Sequence, residues 1–228
     1  MIAALPFINS QPAWSRLLAF YKLDGLTDSS GNGNTLTNDN GVSFVAGKIG
    51  NAAQFDGTNW LESSSLDLSG LSEFTICFWV QHLDSSEEEL NELAGDWSSG
   101  VGPIVVAFGG LGQFAAYGFS SLGVRINTSL GEFTVLDATS RNAGWRFIAI
   151  RLSESGLQLK TNNENWITTA VSSGATLGTT QGTFYVGDGG DAVPLADEDK
   201  LDAFGIWRRS LSDSNIVGLY NAGAGREI

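Results

Sequence analysis

The sequence predicts an all-β protein, an antiparallel two-sheet β-sandwich with one short C-terminal helix. Three observations carry this. The chain has 228 residues with 29 glycines, 16% charged and 11% aromatic residues, a balance that suits short strands and tight turns. About a dozen short apolar segments are separated by Gly, Asn, Asp and Ser clusters. Helical periodicity is confined to two short stretches, so there is no strand–helix alternation of the kind that builds a parallel sheet.

The segments run in order. Leu17–Lys22 reads as a first strand and Asp28–Asn34 as a polar, glycine-bearing loop. Ala52–Phe55 and Trp60–Glu62 flank the Asp56-Gly57 turn. Phe74–His82 reads as a central strand, because both of its alternating sets are apolar enough for burial. Ile104–Phe108 and Phe114–Phe119 follow. Gly123–Asn127 and Glu132–Leu136 form a hairpin around Ser129–Gly131. Trp145–Leu152 is a second core strand, and Gly156–Thr161, Trp166–Ala170, Gly182–Val186 and Leu201–Arg208 complete the set. Ser86–Leu93 reads as a short acidic turn of helix. Asp213–Tyr220 reads as the closing helix, with Ser212 as its N-cap. Residues 1–15 read as an N-terminal arm and residues 16–228 as one domain, since no composition break divides them.

Charge narrows the function classes. The formal net charge is −13, a field that repels nucleic acid and anionic membranes. No apolar run approaches the length of a membrane span. Met1–Trp14 lacks the basic start of a signal peptide. Cys77 is the sole cysteine and lies in an apolar strand, which points to a buried inert thiol. His82 is the sole histidine, so a multi-histidine zinc site within one chain is excluded. Glycosidase carboxylates at alternate positions of one strand are missing, because Glu87–Glu89 are consecutive. His82 has no nucleophile elbow near it, and Gly109-Gly110-Leu111-Gly112 matches no phosphate-binding loop.

The order of local motifs resembles the laminin-G-like, concanavalin A-like jelly-roll domains. An Asp28-Ser29-Ser30-Gly31-Asn32-Gly33-Asn34 loop follows the first strand. Gly47-Lys48-Ile49-Gly50 leads through Ala52 to Phe55-Asp56-Gly57. Phe74-Thr75-Ile76-Cys77-Phe78-Trp79-Val80, Trp145–Ile150 and Phe184-Tyr185-Val186-Gly187 come next. Leu201-Asp202 through Ile206-Trp207, Leu211-Ser212, Ile216 and Leu219-Tyr220-Asn221 close the pattern. The pieces span residues 17–221, and residues 83–144 depart from it. The tail Tyr220–Arg226 is similar to endings of stand-alone phage and bacterial members.

The resemblance implies a jelly roll and a non-enzymatic recognition or adhesion module for a glycan or cell-surface polysaccharide. It also implies a setting on a virion surface, as a decoration or fibre-like protein beside other virion proteins, or outside the cell after release. The alternatives are a structural capsid or oligomer component without a glycan ligand, and a glycosidase. A structural calcium is implied by the same resemblance. Asp28, Asn34 and Asp202 would supply side-chain oxygens and Asn32 or Gly33 a carbonyl, a donor mixture that suits calcium. The other reading of that loop is an Asx turn closed by Asp28. A second acidic loop, with Asp188, Asp191, Asp197, Glu198 and Asp199, either holds a ligand-site calcium or is solvated. Sugar faces stack on indole rings beside polar groups. Trp60, Trp97 and Trp166 have polar neighbours and are the candidates for that role, whereas Trp79, Trp145 and Trp207 read as core.

Overall fold

The computed structural model describes residues 15–82, 90–98, 101–109, 121–138, 144–190, 193–196 and 198–228. The expected strand at Phe114–Phe119, the arm at residues 1–14 and most of the acidic stretch before Leu90 lie outside them. Two antiparallel sheets make up the fold. The larger contains β1 (Leu17–Tyr21), β3 (Ser43–Ala46), β4 (Asn51–Gln54), β6 (Phe74–His82), β11 (Gly144–Ser153), β12 (Gly156–Thr161), β13 (Ile167–Thr169) and β15 (Lys200–Trp207). Its order is β13-β12-β11-β6-β15-β4-β3, with β1 also paired to β15. The smaller has the order β10-β9-β8-β7-β14-β5-β2. Its strands are β2 (Thr37–Asp39), β5 (Trp60–Ser63), β7 (Asn91–Ser98), β8 (Val101–Phe108), β9 (Leu122–Thr128), β10 (Gly131–Asp137) and β14 (Phe184–Val186).

The main core lies between the sheets. Ile76, Phe78 and Val80 of β6, Ile148 and Ile150 of β11, and Phe204 and Ile206 of β15 face Ile104, Val106, Val124 and Phe184 of the smaller sheet. Phe204 joins the two layers, stacking on Phe78 with ring centres 5.1 Å apart and meeting Phe184 edge-on at 6.3 Å. The alternate residues of the same strands form a second apolar layer on the outer face of the larger sheet. Phe20, Cys77, Trp79, Phe147, Ala149, Ala203 and Trp207 belong to it. Both faces of β6 are therefore buried, as its uninterrupted apolar run predicts. Trp145 is half-buried against the edge of this outer layer. Burial pushes the Cys77 thiol far above the usual thiol range, which makes it inert.

Helix α1 (Asp213–Tyr220) forms where the sequence predicts a helix, and it roofs the outer layer. Its Ser212 hydroxyl accepts the Asn215 N–H at 3.3 Å, Asp213 sits in the first turn, and Asn221 ends it in the left-handed conformation. Ile216 and Leu219 drive into the layer, and Tyr220 stacks on Trp79 at 5.9 Å. The hairpin around Ser129 and Leu130 also forms, with Thr128 opposite Gly131.

One expectation is corrected. The chain from Asn91 is strand rather than the end of a helix, because Asn91 pairs with Phe108 and Leu93 is buried in the core. Cross-sheet burial overrides the local helical preference of an acidic, Leu-bearing stretch. The short edge strands β2 and β3 carry too little apolar pattern to be read locally. Phe78→Ala should cost about 3–5 kcal/mol, because it empties a fully enclosed site between the layers; a urea denaturation midpoint that stays within error of wild type would contradict this.

Candidate functional site

The Asp28–Asn34 loop is held by its own side chains. One oxygen of Asp28 accepts the N–H groups of Phe20 (3.1 Å) and Ser30 (2.9 Å), and the other accepts that of Asn34 (2.9 Å). These bonds hold the Asp28 carboxyl below its usual range despite the opposing effect of burial, which is the largest single influence. The amide nitrogens of Asn32 and Asn34 donate to Leu18 O at 3.1 and 2.8 Å, and Asn34 Oδ1 accepts from Ser65 at 3.0 Å. Gly33 adopts φ +81, a turn conformation that glycine meets without strain. Asp202 is engaged elsewhere. Its Oδ2 accepts the N–H groups of Lys48 (2.7 Å) and Ile49 (2.8 Å), closing the Gly47–Gly50 turn.

Of the quintet Asp28, Asn32, Gly33, Asn34 and Asp202, the first four belong to the Asp28–Asn34 loop and hold it closed, whereas Asp202 Oδ2 closes the Gly47–Gly50 turn and its buried Oδ1 has no hydrogen-bond partner among the described residues. Among the described residues, no three His, Cys, Asp or Glu side chains converge on a metal position. The geometry at Asp28 is that of an Asx turn.

The described acidic residues of the second loop fall in different environments. Asp188 is buried, not open to a ligand or solvent, and its Oδ1 accepts the N–H groups of Gly189 (2.7 Å) and Gly190 (3.1 Å). Glu92 Oε2 accepts the same Gly189 N–H at 3.0 Å. Asp199 is buried against His82, whose Nδ1 it meets in a short hydrogen bond. Glu198 is exposed, and Asp191 and Asp197 lie outside the described residues.

The three candidate tryptophans separate. Trp97 is only 2% exposed and packs with Val105 and Ala107 on the outer face of the smaller sheet, under the guanidinium of Arg125 at 4.3 Å. Its polar neighbour Asp96 does not bring it to the surface. That carboxylate is itself buried and accepts the Gln181 N–H at 2.8 Å. Trp97 is thus corrected from ligand contact to packing. Trp166 is half-buried beside helix α1. Arg151 covers it at 4.0 Å, and its indole N–H donates to Asp213 at 3.0 Å. These contacts tie the helix to the sheet and occupy the ring face that a sugar would need.

Trp60 is different. On β5, Leu61 and Ser63 are buried while Trp60 and Glu62 are half-exposed on the face away from the core. Register places Tyr185 of β14 directly opposite Glu62, with Thr37 of β2 on its other side and Asp39 opposite Trp60. Directly opposite residues share a face, so the five side chains form one patch. The Trp60 indole donates to Glu62 Oε2 at 3.2 Å, which fixes the ring beside the carboxylate. Burial, and then the nearby charge of Glu62, raise the Tyr185 hydroxyl above its usual value, so it remains a neutral donor. Two partly exposed aromatics flank a carboxylate on a flat sheet surface. Trp60 is legible in the sequence as a ligand candidate, whereas Glu62 and Tyr185 are not. The alternate spacing of Trp60 and Glu62 on a predicted strand was the available signal; no local signal pairs Glu62 with Tyr185.

No family model and no curated protein matches the sequence. Solved structures do match in fold. The binding domain of Paraclostridial Mosquitocidal Protein 1 aligns with a TM-score of 0.69 at 17% identity, covering 92% of this chain and 53% of that one. Domain 4 of AbnA, a GH43 extracellular arabinanase from Geobacillus stearothermophilus solved with arabinotriose, aligns at 0.67 and 16% identity, covering 92% and 98%. The botulinum neurotoxin serotype D ligand binding domain, solved with N-acetylneuraminic acid, aligns at 0.69 and 11%, covering 91% and 51%. The chain spans about half the length of the two toxin binding domains. At these identities the likeness is one of fold, and it agrees with the predicted two-sheet sandwich.

Asp202 supplies a pH test. Burial raises its carboxyl to about 7, against the hydrogen bonds from Ile49 and Lys48 that favour the charged form. The folded chain therefore keeps a proton that the unfolded chain releases from about pH 4. This contribution to stability is complete below that pH and is lost as pH rises through about 7. Urea denaturation in chelating buffer should show Asp202→Asn gaining on wild type between pH 4.5 and pH 8, by about 3 kcal/mol. A difference between the two chains that does not change with pH would contradict the assignment.

Proposed function

We propose that this protein is a non-catalytic carbohydrate-recognition module whose glycan lies on the Trp60–Glu62–Tyr185 face of the smaller sheet. The observation that carries the reading is the patch itself. Trp60 and Tyr185 keep part of their rings open on a sheet surface while flanking a carboxylate. Aromatic faces take the C–H faces of sugars, and Glu62 with Thr37 and Asp39 supplies acceptors and a donor for hydroxyls. Leaving large rings half-open forgoes hydrophobic stabilisation of roughly 1 kcal/mol each, which a binding role explains.

The fold neighbours support this reading, since two of them were solved with saccharides. The buried state of His82 and Asp199 supports a non-catalytic role, because substrate would not reach that dyad.

A broad glycan array probed with wild type, Trp60→Ala and Tyr185→Ala tests the proposal. Wild type should bind a limited set of glycans. Each substitution should weaken that binding by roughly tenfold or more, consistent with loss of an aromatic contact, while the melting temperature changes little. Retained binding in the Trp60→Ala, Tyr185→Ala double variant would remove the site from this face.

A further inference from the structure

A second, unrelated surface departs from the acidity of the rest. The chain has only 12 Lys and Arg residues against 25 Asp and Glu. Two of the 12, Arg16 and Arg208, line one cavity of about 540 Å³ with Leu17, Leu18, Asn32, Asn34 and Leu71. That volume lies in the range of small-molecule sites.

The fold brings the two arginines together deliberately. Leu17 pairs with Trp207 at the end of β1 and β15, and the Arg208 N–H donates to Arg16 O at 2.9 Å. Arg16 adopts φ 62, a left-handed conformation that a non-glycine residue enters at some cost. Both side chains are exposed, and among the described residues neither guanidinium makes a hydrogen bond or an ion pair. Asp67 is the carboxylate that faces Arg208, but it is committed chiefly to Ser69, whose N–H it accepts at 2.7 Å. Burial, and then the charge of Arg16, push the neighbouring Arg209 guanidinium below its usual range. Asn32 gives its amide nitrogen to Leu17 O (2.8 Å) and Leu18 O, which leaves its carbonyl oxygen as an acceptor. Leu17, Leu18 and Leu71 provide an apolar wall.

We propose that this cavity binds the carboxylate of an acidic sugar residue. Two planar guanidinium groups match a carboxylate in paired hydrogen bonds. Asn32 accepts from a ring hydroxyl, and the leucines meet the C–H face. A bare inorganic anion would use the arginines but neither of the other elements. The proposal rests on the saccharide reading above and adds a site on the larger sheet's edge, separate from the Trp60 face.

Titration calorimetry on the full chain tests it with glucuronate, glucose and sulfate as probes. Glucuronate should bind saturably, more tightly than sulfate, and glucose should give no heat at this site. Arg16→Gln with Arg208→Gln should weaken glucuronate by about tenfold or more, whereas Trp60→Ala should leave it unchanged. Arg208→Lys keeps the charge without the planar fork and should give a partial loss on a chain with wild-type melting. Sulfate binding as tightly as glucuronate would overturn the sugar assignment in favour of a simple anion site. No glucuronate binding, or binding that survives the double glutamine variant, would overturn the cavity altogether and leave the Trp60 proposal to its own test. Glucuronate binding in a chain that fails the glycan array would uphold this site while refuting the Trp60 face.

Discussion

The β-bulge in β15 is the constraint on which the rest of the structure depends. Asp202 lies opposite Trp79 and Gly205 opposite Cys77, so three steps on one strand match two on the other. The extra residue puts Asp202 and Ala203 in succession on the outer face, with Ala203 at φ 48. Parity is then reset. Phe204 and Ile206 return to the core, and Trp207 joins the outer layer. Without the bulge, every residue on one side of it would change face. The same strand pairs with β6 along one edge and with β4 and β1 along the other, so an error here would misplace three neighbours. The bulge also turns Asp202 onto the Gly47–Gly50 turn, where a side chain at Gly47 would collide with the carboxylate at 2.6 Å.

The two sheets have different outer faces. The larger sheet is covered on its outside by helix α1 and the aromatic layer beneath it. On the smaller sheet, Trp97, Val105 and Ala107 are buried on the outer side of β7 and β8, whereas β2, β5 and β14 leave Thr37, Trp60, Glu62 and Tyr185 in partial contact with solvent. This half of the smaller sheet combines aromatic surface with the Glu62 carboxylate. The basic cavity sits at the opposite kind of place, a strand end on the larger sheet, where backbone pairing rather than packing selects its residues.

The acidity of the chain has a structural use. Asp28, Asp96, Asp188 and Asp202 all accept backbone N–H groups of loops that would otherwise bury unpaired donors. Charge-assisted bonds of this kind are among the stronger ones available to a loop. In the Asp28 and Asp188 loops these bonds run to the loop's own backbone. An Asx turn and a metal loop use the same residue types, and only the directions of the oxygens separate them.

Local sequence determined the strands whose both faces are apolar, the hairpin at Ser129–Leu130, the capped helix after Ser212 and the core roles of Trp79 and Trp207. Each of these is set by periodicity or by a turn residue within a few positions, which a single segment contains. Tertiary structure alone decided that Trp97 is covered while Trp60 is not, that Tyr185 stands opposite Glu62, and that Arg16 meets Arg208 from the far end of the chain. These are facts of strand register and sheet order. Register is fixed by burying whole faces at once, so it belongs to the assembled sandwich and cannot be read from any one strand.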